Sequence, residues 1–180
     1  MGALRLPEPV LLVIAAFSRH EEATRWARDQ LERLYGPVGL TSPAYDFTQT
    51  TYYDATMGPG LRKQFFAFRD LVSADSLPAI KLRTNDLEAE LAGTGVYPEP
   101  RPLNLDPGLL TLGKFLLGTT KDQAHRIYLR DGIFAEVTLR FQAGAFEPWP
   151  WTYADYRQEV VRAFLKEARD YYRKRMKDEG

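Results

Sequence analysis

The longest unbroken apolar run in the chain covers residues 10–17, VLLVIAAF, between Pro9 and Ser18. Continuous apolarity without alternation, β-branched at its centre, predicts a strand covered on both faces and so central in its sheet. The period then changes. Ala23, Trp26, Ala27, Leu31, Leu34 and Tyr35 recur at three- and four-residue steps, which predicts an amphipathic helix. Ser18, followed three residues later by Glu21, has the form of a capping box, and Gly36-Pro37 closes the helix. His20 falls in the first turn and is expected to face solvent.

Residues 45–53 alternate, with Tyr45, Phe47, Gln49, Thr51 and Tyr53 on one face and Asp46, Thr48, Thr50 and Tyr52 on the other. Thr and Tyr favour strand. Met57-Gly58-Pro59-Gly60 punctuates a turn, and residues 61–71, with Phe65-Phe66-Ala67-Phe68, read as the returning strand of a hairpin. Ser73 then opens a helix to about Ala92. Leu77, Ile80, Thr84, Leu87 and Leu91 mark its buried side, and Pro78 is tolerated in its first turn. This β-α-β-β-α order begins a ferredoxin-like βαββαβ pattern, which a strand near residues 102–105 or 114–118 would complete. The Gly/Pro-rich stretch 93–102 is too short for a domain linker, so residues 1–180 are expected to form a single domain.

The last third carries the sharpest geometric expectation. Residues 124–130 and 133–141 flank Asp131-Gly132, a hairpin signal. A two-residue turn would scatter the apolar positions over both faces. A three-residue loop pairs Leu129 with Ile133 and gathers Ile127, Leu129, Ile133, Ala135, Val137 and Leu139 on one face, so that register is expected. Arg126 and Glu136 then become cross-strand neighbours on the other face, and His125 ends the apolar one. Thr152, with Asp155 three residues on, is expected to cap a long C-terminal helix striped by Tyr153, Tyr156, Val160, Phe164, Ala168 and Tyr171. The fold class expected is α+β: a ferredoxin-like core sheet extended by this hairpin, with a long C-terminal helix.

Composition removes several functions. Basic and acidic residues balance at 24 each, against the charge footprint of a nucleic-acid binder. There is no cysteine, which excludes disulfides, thiolate nucleophiles and Cys-ligated metals, and two histidines make a multi-histidine site unpromising. No apolar run approaches the ~20 residues of a membrane helix, and the start lacks signal-peptide features. A cytoplasmic protein with no membrane partner is expected.

Several stretches are distinctive: FTQTTYYDATMG, IKLRTNDLE, NLDPG, TTKDQAHRIYLRDGIFAEVTL and WTYADYR. In this order, over nearly the whole chain, they resemble a domain-of-unknown-function family, DUF4416. The resemblance implies a prokaryotic cytoplasmic domain and no established activity.

For candidate chemistry each residue has two readings. Gly108 to Lys114 matches G-x-x-x-x-G-K, yet Phe115 stands where a P-loop needs Ser or Thr. A turn is the better reading. Arg126 and Glu136 form either a cross-strand ion pair, the preferred reading, or a ligand-facing Arg oriented by a carboxylate. His125 suits acid/base work near neutrality, as Glu136 would beside it, although a lone His is more often a satisfied core residue. Thr119, Thr120 and Lys121 offer hydroxyls and an ammonium to an anion, or simply a polar turn. Asn104 and Asp106 either cap the turn at Pro107 or enter a site. Asp106 with Glu136 or Glu88 would supply oxygen ligands to a magnesium ion. Lys81, Asn85 and Glu88 share one helix face, which is either solvated or lines a cleft, and Tyr52, Tyr53 and Asp54 either line the same cleft or merely finish their strand. Two functions follow: an enzyme acting on, or a site binding, a small anionic (phosphorylated or nucleotide-like) ligand, or a non-catalytic interaction or homodimerisation module.

Overall fold

The computed structural model describes residues 2–178. Strand β1, Leu11–Ser18, is buried along its whole length, as its uninterrupted apolar run requires. Its side chains serve two cores by turns. Leu12, Ile14 and Ala16 pack with Ala23, Ala27 and Leu31 of helix α1, Glu21–Tyr35. Leu11, Val13 and Ala15 pack with Phe164, Leu165 and Ala168 of helix α4, Glu159–Asp178. Helices therefore cover the sheet from both sides.

The sheet is antiparallel throughout. β1 lies between β4, Arg62–Phe68, and β5, Asn104–Leu110. β2, Val38–Thr41, flanks β4, and helix α3, Leu77–Gly93, joins β4 to β5 on the face that carries α1. Beyond β5 follow β6, Lys114–Thr119, then β8, Ile133–Gln142, and at the edge β7, Ile127–Arg130. The order is β2-β4-β1-β5-β6-β8-β7, with β3, Tyr45–Asp46, paired to β4 and β9, Ala145–Pro148, paired to β8. A short helix α2, Asp54–Met57, and a 3₁₀ turn, Ala154–Arg157, complete the elements. The α+β class is met by a mixed fold with an antiparallel sheet and a C-terminal helix. With nine strands the sheet is larger than a ferredoxin-like core plus one hairpin.

Several expectations give way. The strand over residues 45–53 shrinks to Tyr45–Asp46, because Asp46 already pairs with Arg62, the first residue of β4. Alternation beyond that point has no neighbouring strand to pair with. The strand that does return beside β4 is the short β2, which four residues containing a glycine announce poorly. Ser18 is the last residue of β1 rather than a helix cap: its Oγ donates to Pro102 O at 2.6 Å and accepts from His20 N–H. α3 starts at Leu77, after a turn in which Ser76 Oγ donates to Ser73 O. Thr152 caps nothing. It bonds the carbonyl of Thr138 at 2.6 Å and tethers the 3₁₀ turn to β8, so α4 begins only at Glu159.

The β7–β8 hairpin combines both expected geometries. At its tip Arg130 pairs with Ile133 around a two-residue turn, Asp131 and Gly132 both having positive φ (55° and 76°). A register shift at Leu129 then restores Tyr128↔Phe134 and Ile127↔Ala135, the register that hydrophobic alternation selects. The single apolar face does not survive, however. β6 skips Thr138 between Val137 and Leu139 of β8. Ala135 consequently packs against the α1/α3 core and Leu139 against the α4 core, while Ile127 and Leu129 lie exposed at the sheet edge.

Candidate functional site

The site arises where the sheet opens. β5 pairs with β1 over seven residues, but with β6 only through Gly108, Leu109 and Leu110. Thr111 N–H donates to Lys114 O at 2.9 Å, so by strand alternation the peptide groups of Leu109, Pro107 and Leu105 also point towards β6. The next hydrogen-bonded pair would be Pro107 with Gly118, and Pro107 has no hydrogen to give. The strands separate there. Helix α3 completes the ladder instead: Leu105 N–H donates to Glu88 Oε1 at 2.7 Å, and Lys81 Nζ donates to Leu105 O at 2.9 Å. Asp106-Pro107-Gly108 is thus mid-strand and not a turn, because seven pairs with β1 outweigh local turn propensity. Gly108 lets the strands close tightly just before they part, since a Cβ there would lie 2.4 Å from Phe115 Cζ.

The opening is a cleft of about 590 Å³, within the range typical of small-molecule sites. α3 contributes Lys81, Asn85 and Glu88, β5 Asn104 and Asp106, β8 Glu136, and the end of β6 with the loop after it Thr119, Thr120 and Lys121. Tyr52 and Tyr53 come from the loop before α2, and Tyr153, Asp155 and Tyr156 from the segment of the 3₁₀ turn.

Five basic and four acidic side chains line it. Four pairs use up the acids: Lys63–Asp155 at 2.6 Å, Lys81–Asp106 at 3.8 Å, Arg101–Glu88 at 3.3 Å and Arg126–Glu136 at 3.0 Å. Lys121 has no acidic partner among the described residues. Its Nζ stands 4.9 Å from the Tyr52 ring centroid, at the exposed mouth. One positive charge is left over.

Glu136 and Arg126 are held from several directions. Glu136 Oε2 meets both Arg126 Nε and His125 Nε2 at 3.0 Å, and Oε1 accepts from Thr138 Oγ1. Arg126 spends its remaining nitrogens on Lys121 O at 3.0 Å and Tyr153 Oη at 2.8 Å. The guanidinium therefore anchors the backbone that presents Lys121. Asp106 is less restrained: its one ionic partner among the described residues is Lys81, at 3.8 Å, and its side chain is 29% exposed.

The deep end is buried and aromatic. Lys63 is 1% exposed, its ammonium 4.6–5.5 Å from the ring centroids of Tyr156, Phe17, Phe47 and Phe65. Two residues lining the cleft carry a buried polar atom with no hydrogen-bond partner among the described residues: Asn104 Nδ2 and Tyr156 Oη. Arg101, which can only donate, bonds Asn104 Oδ1, so the orphan atom is the amide nitrogen. Burial, with Asp106 and Asp155 nearby, raises the Tyr156 phenol well above its ordinary value and keeps the hydroxyl protonated. Burial also pushes the Glu88 carboxyl up, against the pull of Lys81, Leu105 N–H and Arg101.

Of the residues singled out from sequence, Lys81, Asn85, Asn104, Asp106, Lys121, Arg126 and Glu136 all reach this cleft. His125 does not line it; it stacks on Trp151 at 5.4 Å, outside Glu136. The match between Gly108 and Lys114 is a β5–β6 hairpin with no helix after it. Among the described residues no three His, Asp or Glu side chains gather as metal ligands. Missed from sequence were Lys63, Asp155, Arg101 and Tyr156. The available signal for Lys63 was a lysine among phenylalanines in a strand expected to be covered on both faces, which demands a buried partner. His20, expected in solvent, instead meets Glu99 Oε2 at 2.8 Å and stacks on Tyr97 at 4.5 Å.

A nine-stranded antiparallel sheet with helices on both faces, opened at one seam into a polar and aromatic cleft, defines an α+β protein with its polar groups converging inside the fold. No helix among the described residues is long and apolar enough to cross a membrane. The family model described as a domain of unknown function, DUF4416, matches residues 8–172, and the chain belongs to that family. No curated protein and no solved structure matches it.

Proposed function

We propose that the cleft binds a small anionic ligand, phosphorylated or nucleotide-like, with its charged group at Lys121 and the hydroxyls of Thr119 and Thr120. The observation that carries this reading is the charge balance: every other cation in the cleft has a carboxylate, and the unmatched ammonium stands at the mouth. Arg126 and Glu136, with His125 behind them, act as positioning groups for the Lys121 loop. Lys81, Asn85 and Asn104 face the body of the ligand. Asp106 is the acid freest to take a proton, or to share a magnesium ion with ligand oxygens. The half β2-β4-β1-β5 with α1 and α3 is read here as a ferredoxin-like unit, extended by the hairpin strands so that the seam at β5/β6 becomes the site.

The test is thermal unfolding of the purified protein against phosphate, sugar phosphates and nucleotides. A ligand at ~100 times its Kd adds about 2.7 kcal/mol and raises the midpoint by a few degrees. Lys121→Ala, a change at an exposed side chain, should abolish that shift without lowering the midpoint of the free protein. A silent panel, or a shift unchanged in Lys121→Ala, contradicts the reading.

A second reading, association of two copies, rests on β7. This edge strand exposes Ile127, Tyr128 and Leu129 at 71%, 58% and 40%, and an apolar edge is a template for strand pairing. Sedimentation of the wild type and of Ile127→Lys decides it: a dimer lost in the variant supports pairing at β7, and a monomer in both refutes it.

A further inference from the structure

The two orphan atoms at the deep end bear on which anion the cleft takes. Asn104, 4% exposed, presents an amide nitrogen with no acceptor, and Tyr156, 2% exposed, presents a hydroxyl with no partner. Both belong to residues that line the cleft. Buried polar atoms in native structures are almost always bonded, so an unmet donor inside a cleft asks for a ligand atom. The atom it asks for is uncharged. Lys63 already has Asp155, Lys81 has Asp106 and Arg101 has Glu88. A second charged group of either sign would therefore be buried without a counter-charge, at high cost. A neutral acceptor meets the Asn104 N–H at no such cost.

The walls bear on shape. Phe17, Phe47 and Tyr53 form one apolar cluster with ring centroids 5.0–5.9 Å apart, and Phe17 and Phe47 also flank the Lys63 ammonium. Such rings favour a planar partner, by stacked or edge contacts. Exposure rises from this end to Tyr52 and Lys121 at the mouth, so the cleft has a neutral aromatic floor and a positive rim.

We infer that the ligand is two-ended: one anionic group held at the rim by Lys121, and at the floor an uncharged planar ring whose carbonyl oxygen accepts from Asn104 Nδ2 and Tyr156 Oη. This rests on the anion-binding reading and narrows it, excluding compounds charged at both ends and simple sugar phosphates as best ligands.

Calorimetric titration of the full chain with three probes tests it. Ribose 5-phosphate has the anion alone, phenyl phosphate adds a ring without an acceptor, and uridine 5′-monophosphate has a ring with carbonyls. The uridine compound should bind at least tenfold tighter than ribose 5-phosphate, since one net hydrogen bond alone is worth about that much, with phenyl phosphate between them. Tyr156→Phe should lower affinity for the uridine compound alone. The same variant should raise the unfolding midpoint of the free protein, because it removes a buried hydroxyl that has no partner there; a merely structural tyrosine would lower it. Asn104→Leu should bring the uridine compound down towards phenyl phosphate, and Lys121→Ala should weaken all three. Ribose 5-phosphate binding as tightly as the uridine compound, with Tyr156→Phe without effect on either, overturns the two-ended ligand while leaving the anion site standing. No binding by any probe overturns both.

Discussion

Lys63 is buried, and Asp155 and four aromatic rings meet its ammonium. Breaking such a pair from one side strands the other charge. Lys63→Met should therefore cost about 3–5 kcal/mol in chemical denaturation, whereas Arg62→Met, on its exposed neighbour, should stay within ~0.5 kcal/mol. Glu99 makes a pH-dependent contribution of its own. The hydrogen bond from His20, with Arg19 at 3.0 Å, holds its carboxyl below the ordinary 4.5. A depressed acid stabilises the fold above its unfolded value, and that stability is lost as pH falls through the folded value. Wild type and Glu99→Gln should thus differ in unfolding midpoint at neutral pH and converge as the pH drops well below 4.5. At this scale the sequence was readable where a partner lies across one hairpin. Arg126 and Glu136 followed from register alone. Asp155, 92 positions from Lys63, could not be paired with it before the fold was known.

Among the elements, β5 decides whether there is a cleft. Pro107 ends the pairing with β6, Gly108 allows close approach on the paired side, and Glu88 and Lys81 satisfy the peptide group left over at Leu105. Gly108→Ala would place a methyl 2.5 Å from Leu116 O as well as against Phe115, forcing the strands apart at a cost of about 1–3 kcal/mol. Equilibrium denaturation measures it. Glu88→Ala should cost about 1–3 kcal/mol, because the Leu105 N–H would lose its acceptor. A loss below ~0.5 kcal/mol there would mean that α3 does not complete the ladder. Asn104 to Gly108 misled the sequence reading for a physical reason: Asp-Pro-Gly is turn chemistry in isolation, and only pairing with β1 holds it extended. β1 itself was legible because burial on both faces leaves no alternation to mistake. The run 45–53 alternated well and still failed as a strand, since a pattern cannot supply the neighbour it needs.

For the whole molecule, α1 and α3 close one side of the sheet and α4 the other, and the cleft runs between residues from both sides of the opened seam. A site complete within one copy predicts that affinity for a phosphate ligand does not change with protein concentration, and titrations over a wide concentration range check this. Class, central strand and half of the residues that line the cleft could be picked out in the sequence, because polar groups amid apolar neighbours need a reason. The convergence of α3, the β6–β7 loop and the 3₁₀ turn on one seam depends on long-range pairing that no local signal carries. The most direct test of the anion site is a backbone amide spectrum of the full chain during titration with ribose 5-phosphate. Shifts centred on Thr119, Thr120, Lys121 and Tyr52, lost in Lys121→Ala, are the result predicted. Shifts centred on another surface, or a spectrum that does not move at all, would contradict it.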